Sequence, residues 1–330
     1  MNALPKTSSQ PDLTVIVPVY NAMEHLQTLV NDMLSVPDVG MELILVDDGS
    51  SDGSTEAIHT LAAAHPEVIA LENPGNMGAG VARNTGFPHA SGRYTLFFDA
   101  DDRVHGEVIA PAIAQLDKSG ADVAMFAYNY QRDTGAGRTG MLESDALIWR
   151  DGLRGKPNRI CKLADIPALL GFTNYPWNKI IRTDRFHAVG LTYGDTKVNN
   201  DILGHWYSLL FARDLLLIDQ VLCSHIVFAA GTNITNRRDA VRMEMFRALH
   251  ATYDLLSANP DLRQRYSHHY WGFALKLLDW GKSRLSPEYL EAHRAATQDL
   301  IARLDLRDYA RIRRKRAPAL ATRIMNIMLS

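Results

Sequence analysis

Tyr94-Thr-Leu-Phe-Phe98 runs directly into Asp99-Ala100-Asp101-Asp102, so a strongly apolar segment ends in three carboxylates within four residues. Five consecutive residues rich in aromatic and β-branched types read as a buried strand. Like charges packed at its end repel one another unless a cation or hydrogen-bond donors intervene. Capping a following helix takes only one acid, so three point to a ligand. Divalent Mg²⁺ or Mn²⁺ is the natural candidate, because both take oxygen ligands and commonly bridge to substrate phosphates.

Similar apolar runs lie on either side. Leu13-Thr-Val-Ile-Val17 is stopped by Pro18, Met41-Glu-Leu-Ile-Leu-Val46 is a second, 68–71 a weaker third and 122–130 a further strand. Helical periodicity fills 23–34, 54–64, 79–87 and 108–118 between them. Near-continuous apolar strands alternating with helices predict an α/β fold with a mostly parallel sheet covered on both faces. In such sheets ligands sit beyond the carboxyl ends of the strands. From 135 to 176 the periodicity loosens, and helical signals then dominate at 200–213, 239–257, 266–282 and 287–304.

Composition narrows the function classes. The chain has 330 residues, 46% hydrophobic and 22% charged, enough for a large buried core. Lys plus Arg total 35 against 37 Asp plus Glu, a net charge of -2 that argues against a nucleic-acid-coating protein. Two cysteines, Cys161 and Cys223, exclude a disulfide scaffold and fit a reducing compartment. The first twelve residues carry no apolar run of secretory type, and no stretch of eighteen apolar residues occurs. A cytoplasmic location is expected.

The other strand ends carry their own motifs. Pro18-Val-Tyr20-Asn21 follows the first strand, and Asp47-Asp48-Gly-Ser-Ser-Asp52-Gly-Ser follows the second. Strand-end carboxylates can hydrogen-bond a base or ribose, although Asp48 or Asp52 could equally start a turn and cap the next helix. After the third strand, Asn73-Pro-Gly-Asn-Met-Gly78-Ala-Gly80 leads into Ala82-Arg83-Asn84-Thr-Gly86. A glycine-rich turn into a helix can receive phosphate. Its place after the third strand, and its spacing, differ from the dinucleotide fingerprint, which disfavours an NAD-dependent dehydrogenase. Arg83 could pair with a phosphate or a strand-end acid, or stand exposed on a helix face.

In order and spacing, Pro18-Val-Tyr-Asn21, Val46-Asp-Asp-Gly-Ser50, Ala82-Arg-Asn84 with Gly86, and Asp99-Ala-Asp-Asp102 resemble the family 2 glycosyltransferases, inverting enzymes with the GT-A fold. The resemblance is strong over 13–130 and continues more weakly through Trp177-Asn-Lys-Ile180 and Asn200-Asp201. It implies a GT-A-type sheet flanked by helices with a helical C-terminal extension, a nucleotide-diphospho-sugar donor, UDP-linked by family habit, and a divalent metal, Mn²⁺ or Mg²⁺. Carried over, it puts Asp47 or Asp48 against the base, with Pro18 and Tyr20 lining the same pocket. Arg83 lies near base or diphosphate, Asp99 at the ribose with Ala100 in the same nucleotide-sugar site, and Asp101, with Asp102, at the metal. The resemblance assigns Asp201 as the general base that deprotonates an acceptor hydroxyl; Asn200 replaces the usual Glu before it, and Asp195 is a substitute base. The implied acceptor is a glycan or lipid-linked hydroxyl in surface polysaccharide or lipopolysaccharide synthesis. A non-catalytic nucleotide-sugar-binding protein is the competing expectation.

Trp177 could stack on an acceptor sugar but reads more readily as core, and His225, on a predicted strand 215–227, could approach the metal or be structural. His205, His268 and His269 form no usable pattern. The expected organisation is a flexible N-terminus at 1–12, a catalytic domain at 13–231 (nucleotide-sugar half 13–130, acceptor half 131–231), a helical extension at 232–305 and a basic amphipathic tail at 306–330. That tail holds seven basic residues against Asp308, a net +6 that leaves about -8 for the rest. Arg311-Ile-Arg-Arg-Lys-Arg316 precedes a segment whose Leu320, Ile324, Ile327 and Met328 share one helical face. Such a tail is expected to meet an anionic membrane surface on the cytoplasmic side, or to dock on its own domain or a partner. The cluster has no interleaved aromatics, so no nucleic-acid partner is expected.

Overall fold

Strands β1 (Leu13–Val19), β2 (Met41–Asp47), β3 (Val68–Glu72) and β4 (Tyr94–Phe97) alternate with helices α1 (Met23–Leu34), α2 (Ser54–Ala64) and α3 (Ala79–Gly86) in a computed structural model that describes residues 10–132, 140–227 and 238–329. Strands β1, β2 and β4 are buried along almost their whole length, whereas the edge strand β3 is mostly half-buried, as expected of a sheet covered on both faces. In α1 the stripe Leu26, Leu29, Val30 and Met33 faces the core, each side chain contributing about 1.5–3 kcal/mol by its burial.

The sheet order is β3-β2-β1-β4-β8-β6-β9, with β5 and β7 both pairing along β9. The quartet β3-β2-β1-β4 is parallel. The remaining strands are β5 (Arg103–Val104), β6 (Val123–Arg132), β7 (Asn158–Cys161), β8 (Lys179–Arg182) and β9 (Leu215–Val227), joined through α4 (Ile109–Ser119), α5 (Glu143–Leu153), α6 (Thr183–Val189) and α7 (Asp201–Phe211). Here the pairing becomes mixed, since β8 runs antiparallel to both β4 and β6, whereas β6 and β9 are parallel. Register fixes where the motifs emerge. Val19 lies opposite Asp47, Asp47 opposite Glu72, and Ile16 opposite Phe97. The chain therefore leaves β1, β2 and β4 along one rim.

The C-terminal part is helical: α8 (Met245–Ser257), α9 (Pro260–Lys282), α10 (Leu290–Ala302), α11 (Leu306–Arg311) and α12 (Pro318–Leu329). Its core of Leu249, Leu256, Tyr270, Trp271, Leu275, Leu300 and Ile301 is continuous with the sheet's, and the Trp206 ring of α7 meets the edge of Tyr270 at 5.8 Å. Helix α12 turns its apolar face inward: Ala321 and Ile324 are buried, Leu320 and Ile327 pack on the same core, and Arg323 pairs with Asp279. Only Met328 of the four residues expected on the amphipathic face stands half exposed. Most of the expected N-terminal segment, the start of the loop-rich stretch at 135, and the expected boundary at 232 lie outside the described residues. Among the described residues no helix is long and apolar enough to cross a membrane.

Candidate active site

The two acids after β2 have different surroundings. Asp47 accepts from the N–H groups of Gly49 and Ser50 at 3.2 Å and from Thr55 Oγ1 at 3.0 Å, all through Oδ2. Its Oδ1 is buried with no protein partner. Asp48 is fully engaged instead: Oδ1 accepts from Asn73 Nδ2 at 2.8 Å and Met77 N–H at 2.9 Å, and Oδ2 from Gly78 N–H at 2.6 Å. Asp48 thus ties down the glycine-rich loop. Gly78 holds φ +101°, which lets that loop turn. Asp52 bonds Ser54 Oγ at 2.6 Å, Ser54 N–H at 3.0 Å and Met23 N–H at 3.1 Å, so it joins the starts of α1 and α2. Pro18 lies within β1, and Tyr20 just beyond it is half exposed at the rim.

Arg83, on α3, is buried rather than exposed, at 3% accessibility. Its guanidinium donates to Asp99 Oδ1 at 2.6 Å and to Asn200 Oδ1 at 2.8 Å, and lies over the Tyr193 ring at 5.2 Å. Burial opposes its charge, but Asp99 above all, then Tyr193 and Asp201, outweigh that and raise its pKa. Helix α3 can come this close only because Gly80 has no side chain. A Cβ there would stand 1.9 Å from the Gly194 carbonyl oxygen and 2.9 Å from Asn200 Cβ.

Beyond β4, Asp99 stays partly exposed beside Arg83, and Ala100 is buried. Asp101 is exposed, and its pKa is raised by desolvation and by the neighbouring Asp99 charge. Asp102 turns inward, where Oδ1 accepts from the Ile226 N–H at 3.0 Å and lies 2.8 Å from His225 Nδ1. Oδ2 is buried without a partner. Desolvation pushes the Asp102 carboxyl up to about 6 against the opposing pull of His225. His225 in turn is raised by its bond to Asp102, which overcomes the desolvation that lowers it. His225 therefore belongs to the strand-end cluster. Trp177 is fully buried core, stacked on Tyr175 with centroids 4.3 Å apart.

Asp201 opens α7. Desolvation pushes its carboxyl up to about 6, opposed by Arg83 and Lys179 and reinforced by Asp99. Asp195, the substitute base, is exposed and paired with Arg247 at 2.8 Å, turned toward the helical region. Lys197 secures the approach to Asp201: its N–H donates to Glu244 at 2.6 Å and its Nζ to the Asn76 carbonyl at 2.5 Å. Sequence reading singled out neither Asn200 as an Arg83 partner nor Lys179 and Tyr193 as site residues. Lys179 left a legible signal, a lysine at the head of the apolar run Ile180-Ile181.

A family model described as Glycosyl transferase family 2 matches residues 14–170. Glycosyltransferase GlyG of Streptococcus pneumoniae serotype 4 is 34% identical over 210 residues, 63% of this chain and 69% of that protein. The chain belongs to glycosyltransferase family 2. The uncharacterized glycosyltransferase YibD of Escherichia coli K12 is 35% identical over 117 residues, 36% of this chain and 34% of its own, and the chain spans about a third of several relatives it matches. Among solved structures, S. aureus TarS 1-349 in complex with UDP superposes with a TM-score of 0.69 at 18% identity, covering 96% of this chain and 88% of that one. That likeness is one of fold, and it extends through the helical region of this chain.

Proposed function

We propose that the protein is an inverting glycosyltransferase that moves a sugar from a UDP-linked donor to a hydroxyl of a glycan or lipid-linked acceptor in surface polysaccharide or lipopolysaccharide synthesis. One observation carries the reading: the buried Arg83 bridges Asp99 on the donor-side strand end to Asn200, the residue before Asp201. Donor carboxylates and candidate base thereby share one rigid frame. The free, buried Oδ1 of Asp47 supports a uracil base, whose ring N–H can donate to it; cytosine lacks that donor. The half-exposed Tyr20 ring offers a wall for the same base.

The donor set at Asp101 and Asp102 suits Mg²⁺ or Mn²⁺. It offers carboxylate oxygens, one of them buried and unpartnered, with other positions left to substrate phosphate and water. When bound, the ion neutralises charge developing on the departing diphosphate. Asp201 accepts the acceptor hydroxyl proton. The oxygen then bonds to the anomeric carbon from the face opposite the diphosphate, the carbon–diphosphate bond breaks, and UDP leaves with the electron pair. Arg83 orients Asp99 and Asn200 throughout.

The tail supports a membrane-proximal acceptor through charge rather than insertion. Arg307, Arg313, Arg314 and Arg316 are exposed, whereas the apolar face of α12 is mostly spent on the protein core. Charge reversal at Arg313, Arg314 and Arg316 is expected to abolish co-sedimentation with vesicles containing 30% phosphatidylglycerol. Unchanged sedimentation removes the membrane from the proposal.

The test of function is UDP release from a panel of UDP-sugars with Mn²⁺ and mixed acceptor glycans, in wild type and Asp201→Asn. Acceptor-dependent release by wild type, lost in the variant with UDP affinity retained, supports transfer. Nucleotide binding without release under any acceptor condition marks a non-catalytic binder instead.

A further inference from the structure

Lys179, in the acceptor half, is a charged group whose placement conflicts with ordinary burial rules and which the proposed chemistry leaves unused. Lysine is almost never fully buried without a partner charge. Yet Lys179, the first residue of β8, is 4% accessible, and among the described residues no carboxylate lies within ion-pair distance of it. Its Nζ donates to the Tyr175 carbonyl at 2.7 Å and to Asn178 Oδ1 at 2.5 Å. Both acceptors are neutral, so neither cancels the charge. An ammonium has three N–H donors, and these two bonds leave one over.

The side chain lies against α7. With Phe97, Tyr193 and the α7 residues Gly204, His205 and Ser208 it lines a small cavity of about 10 Å³, room for a single water. His205 donates through Nε2 to the Leu169 carbonyl at 3.0 Å, and its Nδ1 is buried without a partner. Burial holds His205 neutral, well below the usual imidazole range, and the nearby Lys179 charge adds to that. Lys179 is therefore a buried cation packed against the helix that Asp201 opens.

We infer that Lys179 is a positioning residue for the proposed base: its buried ammonium, fixed by Tyr175 and Asn178 under α7, keeps the Asp201 carboxylate ionised. This rests on the reading of Asp201 as general base. Other groups also act on Asp201. Arg83 favours its ionisation and Asp99 opposes it, both from the α3 and β4 side, while Tyr193 and Tyr175 feel its charge from their own loops. The Asp145 charge also acts on Lys179. Desolvation drops the Lys179 pKa to about 7, held up by Asp201 and then Asp145, so its charge is present where Asp201, near 6, becomes a carboxylate.

The test is Lys179→Met, which keeps length and apolar stem while removing charge. The acidic limb of kcat/KM should move up by on the order of one pH unit. The loss is then roughly fivefold at pH 6 and nearly absent above pH 8. A lysine serving only to hold the Tyr175–Asn178 turn would lower activity equally at every pH, and that flat loss would overturn the inference. Coupling is reciprocal, which supplies a second measurement requiring neither activity nor a stable Met variant. In full-length protein labelled with ¹⁵N-lysine, the Lys179 Nζ titration midpoint should fall in Asp201→Asn relative to wild type. An unmoved midpoint overturns the inference. Absence of sugar transfer from every donor overturns the transferase reading instead, while the NMR result still decides whether the two groups are coupled.

Discussion

Replacing Arg83 with Met removes the charge that joins the two halves of the site while nearly preserving volume. Two charge-assisted hydrogen bonds are lost, to Asp99 at 2.6 Å and Asn200 at 2.8 Å. Each is worth about 1.5–3 kcal/mol, and breaking a buried pair from one side costs about 3–5 kcal/mol. Asp99 is 29% exposed and regains some water, so a total of roughly 3–5 kcal/mol is expected. A chain of 330 residues has an unfolding entropy of about 0.7 kcal/mol/K, giving a Tm lower by roughly 4–7 °C. Urea unfolding followed by tryptophan fluorescence, together with a thermal scan, measures both quantities. Arg83→Lys, which keeps the charge but not the planar two-partner fork, should fall between wild type and Met. A Met variant within about 1 kcal/mol of wild type, with unchanged activity, would refute the bridging role.

Four further outcomes follow from the same geometry. Asp201→Asn should lower kcat by about 10²–10⁴-fold with UDP affinity, measured by calorimetry, unchanged. In wild type, kcat/KM should fall as pH drops through about 6, because the raised Asp201 carboxyl then takes up a proton; a flat profile from pH 5 to 8 contradicts its role. The same raised pKa means that the unfolded chain gives up this proton more readily than the folded one, so folding stability declines as pH rises from about 4 to 6. Asp201→Asn should accordingly raise Tm at pH 8 and not at pH 4. Gly80→Ala drives a methyl into the Gly194 carbonyl and should cost about 1–3 kcal/mol, with weaker donor binding as the loop before Asp201 shifts.

The parallel quartet was legible because β-branched and leucine-rich runs ending at Pro18, Asp47 and Asp99 allow little else, and those ends supplied the site motifs. The antiparallel insertion of β8 was not legible. Its four residues, Lys179–Arg182, are too short for a periodic signal, and pairing partners far apart in sequence leave no local trace. The pair Asp47-Asp48 announced a carboxylate function, but which acid faces a ligand depends on a loop thirty residues away returning Gly78 N–H to Asp48. Arg83 could be read as a ligand-facing cation; its burial depends on Tyr193 and Asn200 from the acceptor half. Periodicity identified the apolar face of α12, yet only tertiary packing shows that this face is covered by the protein itself.

The most direct measurement is calorimetric titration of UDP into the full-length protein, with and without Mn²⁺, in wild type and Asp101→Ala. The expected result is UDP binding to wild type that requires Mn²⁺ and is lost in Asp101→Ala. Failure of UDP, GDP, CDP and dTDP alike to bind the folded wild-type protein with Mn²⁺ present would contradict a nucleotide-sugar site at these strand ends.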